Sequence, residues 1–436
     1  MLVSFSISNF MSIGSKQTIS MVPSLQKSQE KHLIAIENMT LLKHAVIFGA
    51  NSSGKSNFIK ALALGKQIIL EGMSGKFKHG YSKLGPEDNA KITTWEFTYY
   101  NNHHFFTYGF CANLNTNVLN EEWLYEINPK TNRNKVVFER NVERKTMVCL
   151  IKTTKEEQKR LSIYIEDINN APHQLFLNEI NHHKQLGNNL NIFVDAFAWF
   201  NQHLEISLND QIKKAGSFDQ NYQKQFLNMI SEFDTGIEDV FLQSLTWESL
   251  QEQVPNGYFE DIKKQTELNS HDFGLIYNNQ LYCFHKNDMN NAEVFLVFFK
   301  HYASPFLFSY SEESEGTKRI FELINLLIEN KPSQTYVWDE LDRSIHPLVM
   351  EKYLEKYLEM THQIPNQLIF STHETNILSQ DYFRRDEIWF MEKALDQSSK
   401  LYSLDIFKER LDKKLSTSYL EGQYGGIPNI HIKDDR

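Results

Sequence analysis

The stretch HAVIFGANSSGKSNFIKALAL, residues 44–64, decides the fold of this 436-residue chain. It opens with a short, mostly apolar run that is typical of a buried strand, and it closes with apolar residues at helical spacing. Between them, GANSSGKS matches the pattern G-x-x-x-x-G-K-[ST], whose glycines let backbone N–H groups converge on one anion. The start of the following helix adds partial positive charge. We therefore expect a phosphate-binding loop, and the alternative is an ordinary glycine-containing surface turn.

Two side chains of this loop carry the chemistry that a nucleoside triphosphate requires. Lys55 is expected to reach the β- and γ-phosphates, and the Ser56 hydroxyl is expected to bind Mg²⁺. The other loop residues that we expect to contact the nucleotide are Gly49, Asn51, Ser52, Ser53, Gly54 and Asn57.

Two carboxylates follow an apolar strand in TYVWDELD, residues 335–342. Asp339 suits the magnesium shell, and Glu340 is placed to polarise an attacking water as a general base. A further strand, residues 367–371, ends just before His373, which could touch the γ-phosphate or that water. The alternatives are an acidic turn at a strand end and a solvated histidine.

A second candidate anion site lies in YSEESEGTKR, residues 310–319, where Ser314 and Gly316 precede a helical stretch. Backbone N–H groups at a helix start bind anions. Because the first loop already holds the phosphates within the same chain, a second phosphate-binding site is most useful if it acts on the nucleotide of a partner chain in a dimer. An ordinary helix cap built from Ser, Glu and Thr explains the same residues equally well.

Composition limits the possible functions. Hydrophobic residues make up 41% and charged residues 23%, as in globular proteins, and the net charge is −10. This balance disfavours a strongly basic protein wrapped in nucleic acid, although DNA contact through a local patch stays possible. Three separated cysteines fit a reducing compartment, and we find no signal peptide and no apolar run long enough for a membrane span. We therefore expect a cytoplasmic protein.

The composition and the pattern of apolar residues indicate three regions in the sequence. Residues 1–150 combine strand patterns with the phosphate loop, residues 151–268 read as a mainly helical insertion, and residues 269–436 return to alternating helices and strands. We predict an α/β fold: a P-loop head with N-terminal antiparallel strands, interrupted by the helical insertion.

The order of the motifs resembles the head of ABC-type ATPases of the OLD-like and SMC-like branch. The resemblance is closer still to the Rlo/Abi-type ATPases of bacterial restriction and abortive-infection loci, which are similar to the ATPase subunit of the PARIS defence system. It covers about residues 1–115 and 305–430. The stretches that carry it are LVSFSISNFMSI (2–13), GANSSGKS (49–56), SEGTKR (314–319), VWDELDRSIHP (337–347), QLIFSTHETNIL (367–378), FRRDEIWFMEK (383–393) and YLEGQYGGIPNI (419–430).

The resemblance implies ATP and Mg²⁺ as ligands and a role for each matching residue. Lys55 and Ser56 correspond to the Walker A lysine and serine, while Asp339 and Glu340 correspond to the Walker B aspartate and the catalytic glutamate. The other matches are Asp342 with the D-loop aspartate, His373 with the switch histidine, and Ser314 and Gly316 with the signature loop that grips the partner's nucleotide.

Three functions remain open at this point. The first is an ATP-driven switch or scaffold, at least a dimer, that controls a separately encoded effector such as a nuclease or toxin, for example a Toprim-like one. The second is an SMC-like DNA-binding repair or maintenance ATPase, which the acidic balance and the lack of a coiled-coil pattern disfavour. The third is a transporter subunit, which the unusual Ser-Glu-Gly-Thr signature disfavours.

Overall fold

The structure is a computed structural model that describes residues 1–25, 29–73, 79–84, 92–131, 133–182, 187–208, 213–268, 272–286, 291–407 and 414–427. The chain forms two compact units. Unit 1 comprises residues 1–208, 332–341 and 362–436, and unit 2 comprises residues 209–331 and 342–361.

The elements are numbered in chain order. The strands are β1 (Leu2–Ser8), β2 (Gln17–Ser20), β3 (Leu33–Ile36), β4 (Met39–Leu42), β5 (His44–Phe48), β6 (Ile92–Asn101), β7 (His104–Asn113), β8 (Val118–Asn128), β9 (Arg133–Asn141), β10 (Thr146–Cys149), β11 (Leu204–Ser207), β12 (Lys213–Ala215), β13 (Ile237–Leu245), β14 (Phe273–Tyr277), β15 (Gln280–Lys286), β16 (Ala292–His301), β17 (Leu307–Ser309), β18 (Thr335–Trp338), β19 (Gln367–Ser371), β20 (Ile388–Lys393) and β21 (Ser399–Ser403). The α-helices are α1 (Lys55–Glu71), α2 (Lys155–Asn169), α3 (Phe176–His182), α4 (Asn191–Ala198), α5 (Gln220–Ile230), α6 (Trp247–Gln253), α7 (Asn256–Leu268), α8 (Glu315–Ile328), α9 (Pro347–Thr361) and α10 (Leu415–Leu420).

Unit 1 contains two large sheets. Seven antiparallel strands form the first sheet in the order β10-β9-β8-β7-β6-β1-β2. The second sheet has the order β11-β18-β19-β5-β20-β21, in which the first five strands run parallel and the edge strand β21 runs antiparallel. Strand β5 is entirely buried, as expected for a central strand of a parallel sheet.

Helix α1 follows the central strand β5 and packs on the antiparallel sheet. The rings of Phe58 and Phe5 meet edge to face with centroids 5.4 Å apart. The Trp95 indole donates a 2.8 Å hydrogen bond to the Ala61 carbonyl. A Cβ at Gly65 would lie 2.7 Å from Trp95 Cδ1, so glycine permits this close approach. These contacts hold α1 against the sheet that residues 1–20 and 92–149 supply.

Helices α2, α3 and α4 also belong to unit 1. Phe176 of α3 and Phe193 of α4 pack on Phe138 of β9, with ring centroids 5.1 and 6.0 Å away. Just beyond α4, the Trp199 ring stacks on Tyr99 of β6 at 4.5 Å. The apolar faces of these helices therefore complete the core on the antiparallel sheet.

Unit 2 is built around a second antiparallel sheet, with the order β12-β14-β15-β16-β13 and with β17 paired to β16. Helices α6 and α7 share a buried apolar cluster with this sheet, formed by Leu250, Val254, Phe259, Ile262, Leu275, Tyr282, Phe284 and Val294. Phe226 of α5 and Phe321 of α8 pack edge to face at 5.3 Å.

The structure confirms the predicted mixed α/β class with N-terminal antiparallel strands. The predicted helical region 151–268 does not coincide with one compact unit, because its first helices pack on the core of unit 1. Its second part belongs to unit 2 and includes the strand β13, which the sequence patterns did not indicate. The strand is mostly exposed and carries a bulge, so its apolar and polar residues do not alternate regularly. No helix within the described ranges has the length and apolarity that crossing a bilayer requires.

Candidate active site

The phosphate loop lies where the sequence places it, between β5 and α1. Two of its glycines are required by close packing. A Cβ at Gly49 would lie 2.3 Å from the Met391 carbonyl oxygen, and one at Gly54 would lie 2.1 Å from Ser399 Oγ. Gly54 also has φ 112°, which side-chain-bearing residues rarely adopt. The backbone of the loop is thus pressed against β20 and β21, and larger residues at these positions would displace it.

Lys55 is held over the loop that precedes it. Its ammonium donates hydrogen bonds of 2.6 and 3.1 Å to the carbonyls of Gly49 and Ala50, and it lies 3.3 Å from His373 Nδ1. The residue is only 4% exposed. A buried ammonium fixed over a phosphate-binding loop is well placed to contact the phosphates of a bound nucleotide.

The acidic side chains sit at the same edge of the parallel sheet. Since β18, β19 and β5 are parallel neighbours, their carboxyl ends meet at one edge, the usual ligand edge of such sheets. Ser56 donates a 3.2 Å hydrogen bond to Asp339 Oδ1, and Ser371 donates one of 2.7 Å to the same oxygen. Asp339 is 4% exposed. The hydroxyl and the carboxylate that we expect to hold magnesium are therefore in contact.

Glu340 and His373 face each other beside this pair. His373 Nε2 lies 3.9 Å from Glu340 Oε1, and about a third of each side chain is exposed. Glu340 has φ 48°, a left-handed conformation that is strained for a glutamate. Its N–H donates a 2.8 Å hydrogen bond to Ser371 Oγ, which holds the turn in place. Solvent can therefore reach the Glu340 carboxylate, while the backbone of this residue is held by Ser371.

The rest of the loop is supported by residues that the sequence patterns did not single out. Ser399 donates a 2.7 Å hydrogen bond to the Ser53 carbonyl, and Asn57 donates one of 2.8 Å to Ser12 Oγ. The Ala50 N–H donates a 2.7 Å hydrogen bond to the Gly426 carbonyl. Gly426, Ser12 and Ser371 lie in the stretches 419–430, 2–13 and 367–378 that carry the family resemblance, but no role was expected for them. Ser399 lies outside all of these stretches.

The residues present fit a magnesium-bound triphosphate. The two glycines form a cradle that a Cβ would fill, and within the described part of the chain the buried Ser53 Oγ has no hydrogen-bond partner. Ser52 has φ 63°, which completes the curl of the loop. Asn51 and Ser52 are exposed at its tip. The cradle, the ammonium and the hydroxyl–carboxylate pair supply the donor set that such a ligand requires.

Three predicted site residues belong to unit 2 and are described within it. Ser314 caps α8 and accepts a 3.0 Å hydrogen bond from the Thr317 N–H. A Cβ at Gly316 would lie 2.9 Å from the Ser344 carbonyl oxygen. Asp342 is the first residue of the second segment of unit 2. The ordinary helix cap, which is the alternative explanation for Ser314, is therefore formed. Ser314 and Glu315 at the start of α8 are exposed.

Comparison with protein families gives a match over most of the chain. The model of the family described as "AAA domain, putative AbiEii toxin, Type IV TA system" matches residues 45–379, which include the phosphate loop, the acidic pair and His373. None of the curated protein sequences matches this chain.

Several solved structures match this chain at low identity. An SMC head bound to the C-terminal winged-helix domain of ScpA has 14% identity and a TM-score of 0.41 over 92% of this chain and 97% of that chain. The SMC head domain from Thermotoga maritima has 14% identity and a TM-score of 0.35 over 92% and 98%. An SMC head from Pyrococcus furiosus, with an extended coiled coil and a bound ScpA domain, has 12% identity and a TM-score of 0.41 over 97% and 98%.

Proposed function

Because the chain belongs to the AbiEii-type AAA-domain family, we propose that it is an ATP-binding and ATP-hydrolysing switch of a bacterial anti-phage system. In this proposal it acts in the cytoplasm and controls a separately encoded effector. The observation that carries the ATPase part is the meeting of Lys55, Ser56 and Asp339 at one edge of the parallel sheet.

The loop binds the triphosphate. The Lys55 ammonium exchanges its two carbonyl acceptors for β- and γ-phosphate oxygens, and the N–H groups of the loop donate to the same group. The Ser56 hydroxyl and the Asp339 carboxylate would hold Mg²⁺, which would neutralise charge on the phosphate oxygens.

Glu340 activates the attacking water. Its partly exposed carboxylate accepts a proton from the water, and the hydrogen bond from its N–H to Ser371 Oγ holds the backbone that carries it. His373, which contacts Lys55 and faces Glu340, orients the water or the γ-phosphate from the other side. General-base help of this kind contributes typically about 10²–10⁴-fold to a rate.

The complete site needs a second copy of the chain. In a dimer, the exposed start of α8, with Ser314 and Gly316, binds the γ-phosphate of the nucleotide in the partner's loop. Asp342 lies at the interface between the two chains. Two sites then close together when ATP is bound. This gives the switch its two states, because ATP can favour the closed state only as far as it binds that state more tightly.

The output is delivered by a partner. The family description refers to a toxin–antitoxin system, and the sequence resembles Rlo/Abi-type and PARIS-like ATPases, whose loci encode defence. We therefore propose that ATP closure holds or licenses an effector such as a nuclease or toxin, with a Toprim-like protein as one candidate. A DNA-binding, SMC-like maintenance ATPase is the second candidate, and the test below separates the two.

Lys55→Ala tests the proposal, with Lys60→Ala as the matched control, since Lys60 is an exposed lysine on the same helix. Phage are plated on cells that carry the gene alone, the gene with its neighbour, or the pair with either variant. We expect protection from the pair and from the pair with Lys60→Ala, and none with Lys55→Ala or from the single gene.

Two results would count against the switch. Full protection by the single gene would contradict a separate effector. Tight DNA binding that persists near physiological salt, without any effect on phage plating, would instead favour the maintenance ATPase.

A further inference from the structure

A second cluster of ionisable side chains lies at the opposite edge of the parallel sheet. His44 is the first residue of β5, Glu387 directly precedes β20, and His32 directly precedes β3. The phosphate loop begins at the other end of β5, about 16 Å away at the usual rise of a strand. The cluster is therefore separate from the nucleotide site but shares a strand with it.

The three side chains converge on one point. His32 Nδ1 lies 2.7 Å from Glu387 Oε2, and His44 Nδ1 lies 3.1 Å from Glu387 Oε1. All three potential ligand atoms lie within 4.8 Å of one another. Around a tetrahedral Zn²⁺ with bonds of about 2.0–2.2 Å, neighbouring ligand atoms are about 3.3 Å apart. The separations would change by at most about 1.5 Å to reach that spacing.

The cluster is buried and its orientation is fixed. The exposed fractions of the side chains are 12% for His32, 4% for His44 and 0% for Glu387. The two imidazole rings meet edge to face at 5.0 Å, and Glu387 Oε2 also accepts a 2.8 Å hydrogen bond from the Arg384 N–H. Backbone hydrogen bonds of this kind orient carboxylates that bind metals.

Two cations lie near the cluster, and the Lys43 ammonium interacts electrostatically with the Glu387 carboxylate. The Arg384 guanidinium donates hydrogen bonds of 2.9 and 2.8 Å to the two carboxylate oxygens of Asp386, and the Lys43 ammonium donates one of 2.6 Å to the His362 carbonyl.

We propose that His32, His44 and Glu387 form a binding site for a divalent transition metal, with Zn²⁺ as the first candidate. Two imidazoles and one carboxylate are a ligand set that Zn²⁺ accepts, and they leave a fourth position for solvent. The small exposed part of His32 gives the ion its way in.

The site would join three segments that are far apart in the chain. The ion would tie the strand that carries the phosphate loop to β20 and to the segment before β3. Binding to the folded chain alone stabilises it, so the ion would raise the unfolding temperature. This proposal does not depend on the proposed switch function, because its readout is metal binding.

The experiment uses the untagged full-length chain, treated with EDTA and then dialysed. Zn²⁺ is titrated in a calorimeter, and Co²⁺ is added separately while visible d–d bands are recorded. We expect one Zn²⁺ per chain, Co²⁺ bands with the intensity of a four-coordinate site, and a higher unfolding temperature with Zn²⁺. In His32→Asn, Zn²⁺ affinity should fall at least about 10-fold.

The control is His103→Asn, which removes an exposed histidine that pairs with Glu37 at 2.7 Å. It should bind Zn²⁺ as the wild type does. Because His32 lies near the surface, His32→Asn should keep the circular dichroism of the wild type. Equal Zn²⁺ affinity in His32→Asn and wild type, or no Zn²⁺ heat and no Co²⁺ bands with the folded wild type, would overturn the proposal.

Discussion

The hydroxyl of Ser371 donates a 2.7 Å hydrogen bond to Oδ1 of Asp339. The same hydroxyl accepts the N–H of Glu340, so one fully buried side chain holds both acidic residues of the candidate active site. We assign Ser371 as a positioning residue, since it acts through these two carboxylates.

Replacing Ser371 by alanine should weaken catalysis more than nucleotide binding. Asp339 loses the hydrogen bond from Ser371, and the N–H of Glu340 loses its acceptor. We therefore expect kcat to fall by about 10–100-fold and the Mg²⁺ concentration for half-maximal activity to rise. The measurement is ATPase activity against Mg²⁺ concentration. Ser6→Ala is the control, because it removes another buried strand hydroxyl, which pairs with Thr18. An unchanged Mg²⁺ dependence in Ser371→Ala would refute the assignment.

Glu340→Gln should bind ATP but hydrolyse it slowly. The amide keeps the shape of the side chain and cannot accept the proton, so we expect kcat to fall about 10²–10⁴-fold. Single-turnover hydrolysis and equilibrium binding of labelled ATP measure the two effects. Glu374→Gln, a carboxylate that caps the turn after His373, should keep the wild-type rate. Wild-type turnover by Glu340→Gln would mean that another group is the base.

Gly54→Ala should weaken nucleotide binding by about 5–150-fold. The new methyl group would meet Ser399 Oγ, and φ 112° is unfavourable for alanine, so the loop must move at a cost of about 1–3 kcal/mol. Gly257→Ala is the control, because a Cβ there has nothing within 4 Å. ATP binding and thermal unfolding are compared in both variants. Undiminished ATP affinity in Gly54→Ala would show that the loop does not need this geometry.

Gly65→Ala sets helix propensity against packing. Alanine favours a helix over glycine by about 1 kcal/mol. The added methyl group would lie 2.7 Å from Trp95, which is fully buried, and overpacking of this kind costs about 1–3 kcal/mol. We expect packing to win and the unfolding temperature to fall. Denaturant unfolding with Trp fluorescence measures the change, and a stabilised variant would show that Trp95 can shift freely.

Mixing two inactive chains tests whether sites are shared. Lys55→Ala removes the phosphate ligand of one chain, and Gly316→Asp places a carboxylate at the start of α8. If each site combines both chains, a mixed dimer has one intact site, and we expect about half of the wild-type ATPase activity per mixed dimer. In an equal mixture that pairs at random, this is about a quarter of the wild-type activity over all dimers. Lack of recovery, when exchange of labelled subunits is demonstrated, would contradict sharing.

The phosphate loop could be predicted because its chemistry is local. A glycine pattern, a buried strand and a helix start all lie within residues 44–64, and the structure places the loop between β5 and α1 as expected. The positions of Asp339, Glu340 and His373 could be predicted for a similar reason, since each residue follows an apolar strand. Their assigned roles remain predictions.

The contacts that support the loop could not be predicted, because the two partners of each contact are distant in the chain. Ser399 reaches Ser53, and Gly426 reaches Ala50, through folding that brings β21 and the C-terminal turn to the loop. A serine at a strand start has no pattern that reveals such a contact. For the same reason β11, a short strand within a polar and helical region, shows its place in the parallel sheet only in three dimensions.

The position of β5 between β19 and β20 has a consequence for synthesis on the ribosome. Both neighbours of β5 lie more than 300 residues further along the chain. At ~5–20 residues per second, the strand waits on the order of tens of seconds with both edges unpaired. An apolar strand with open edges is a template for aggregation, so the nascent chain would benefit from a chaperone until translation of β20 is complete.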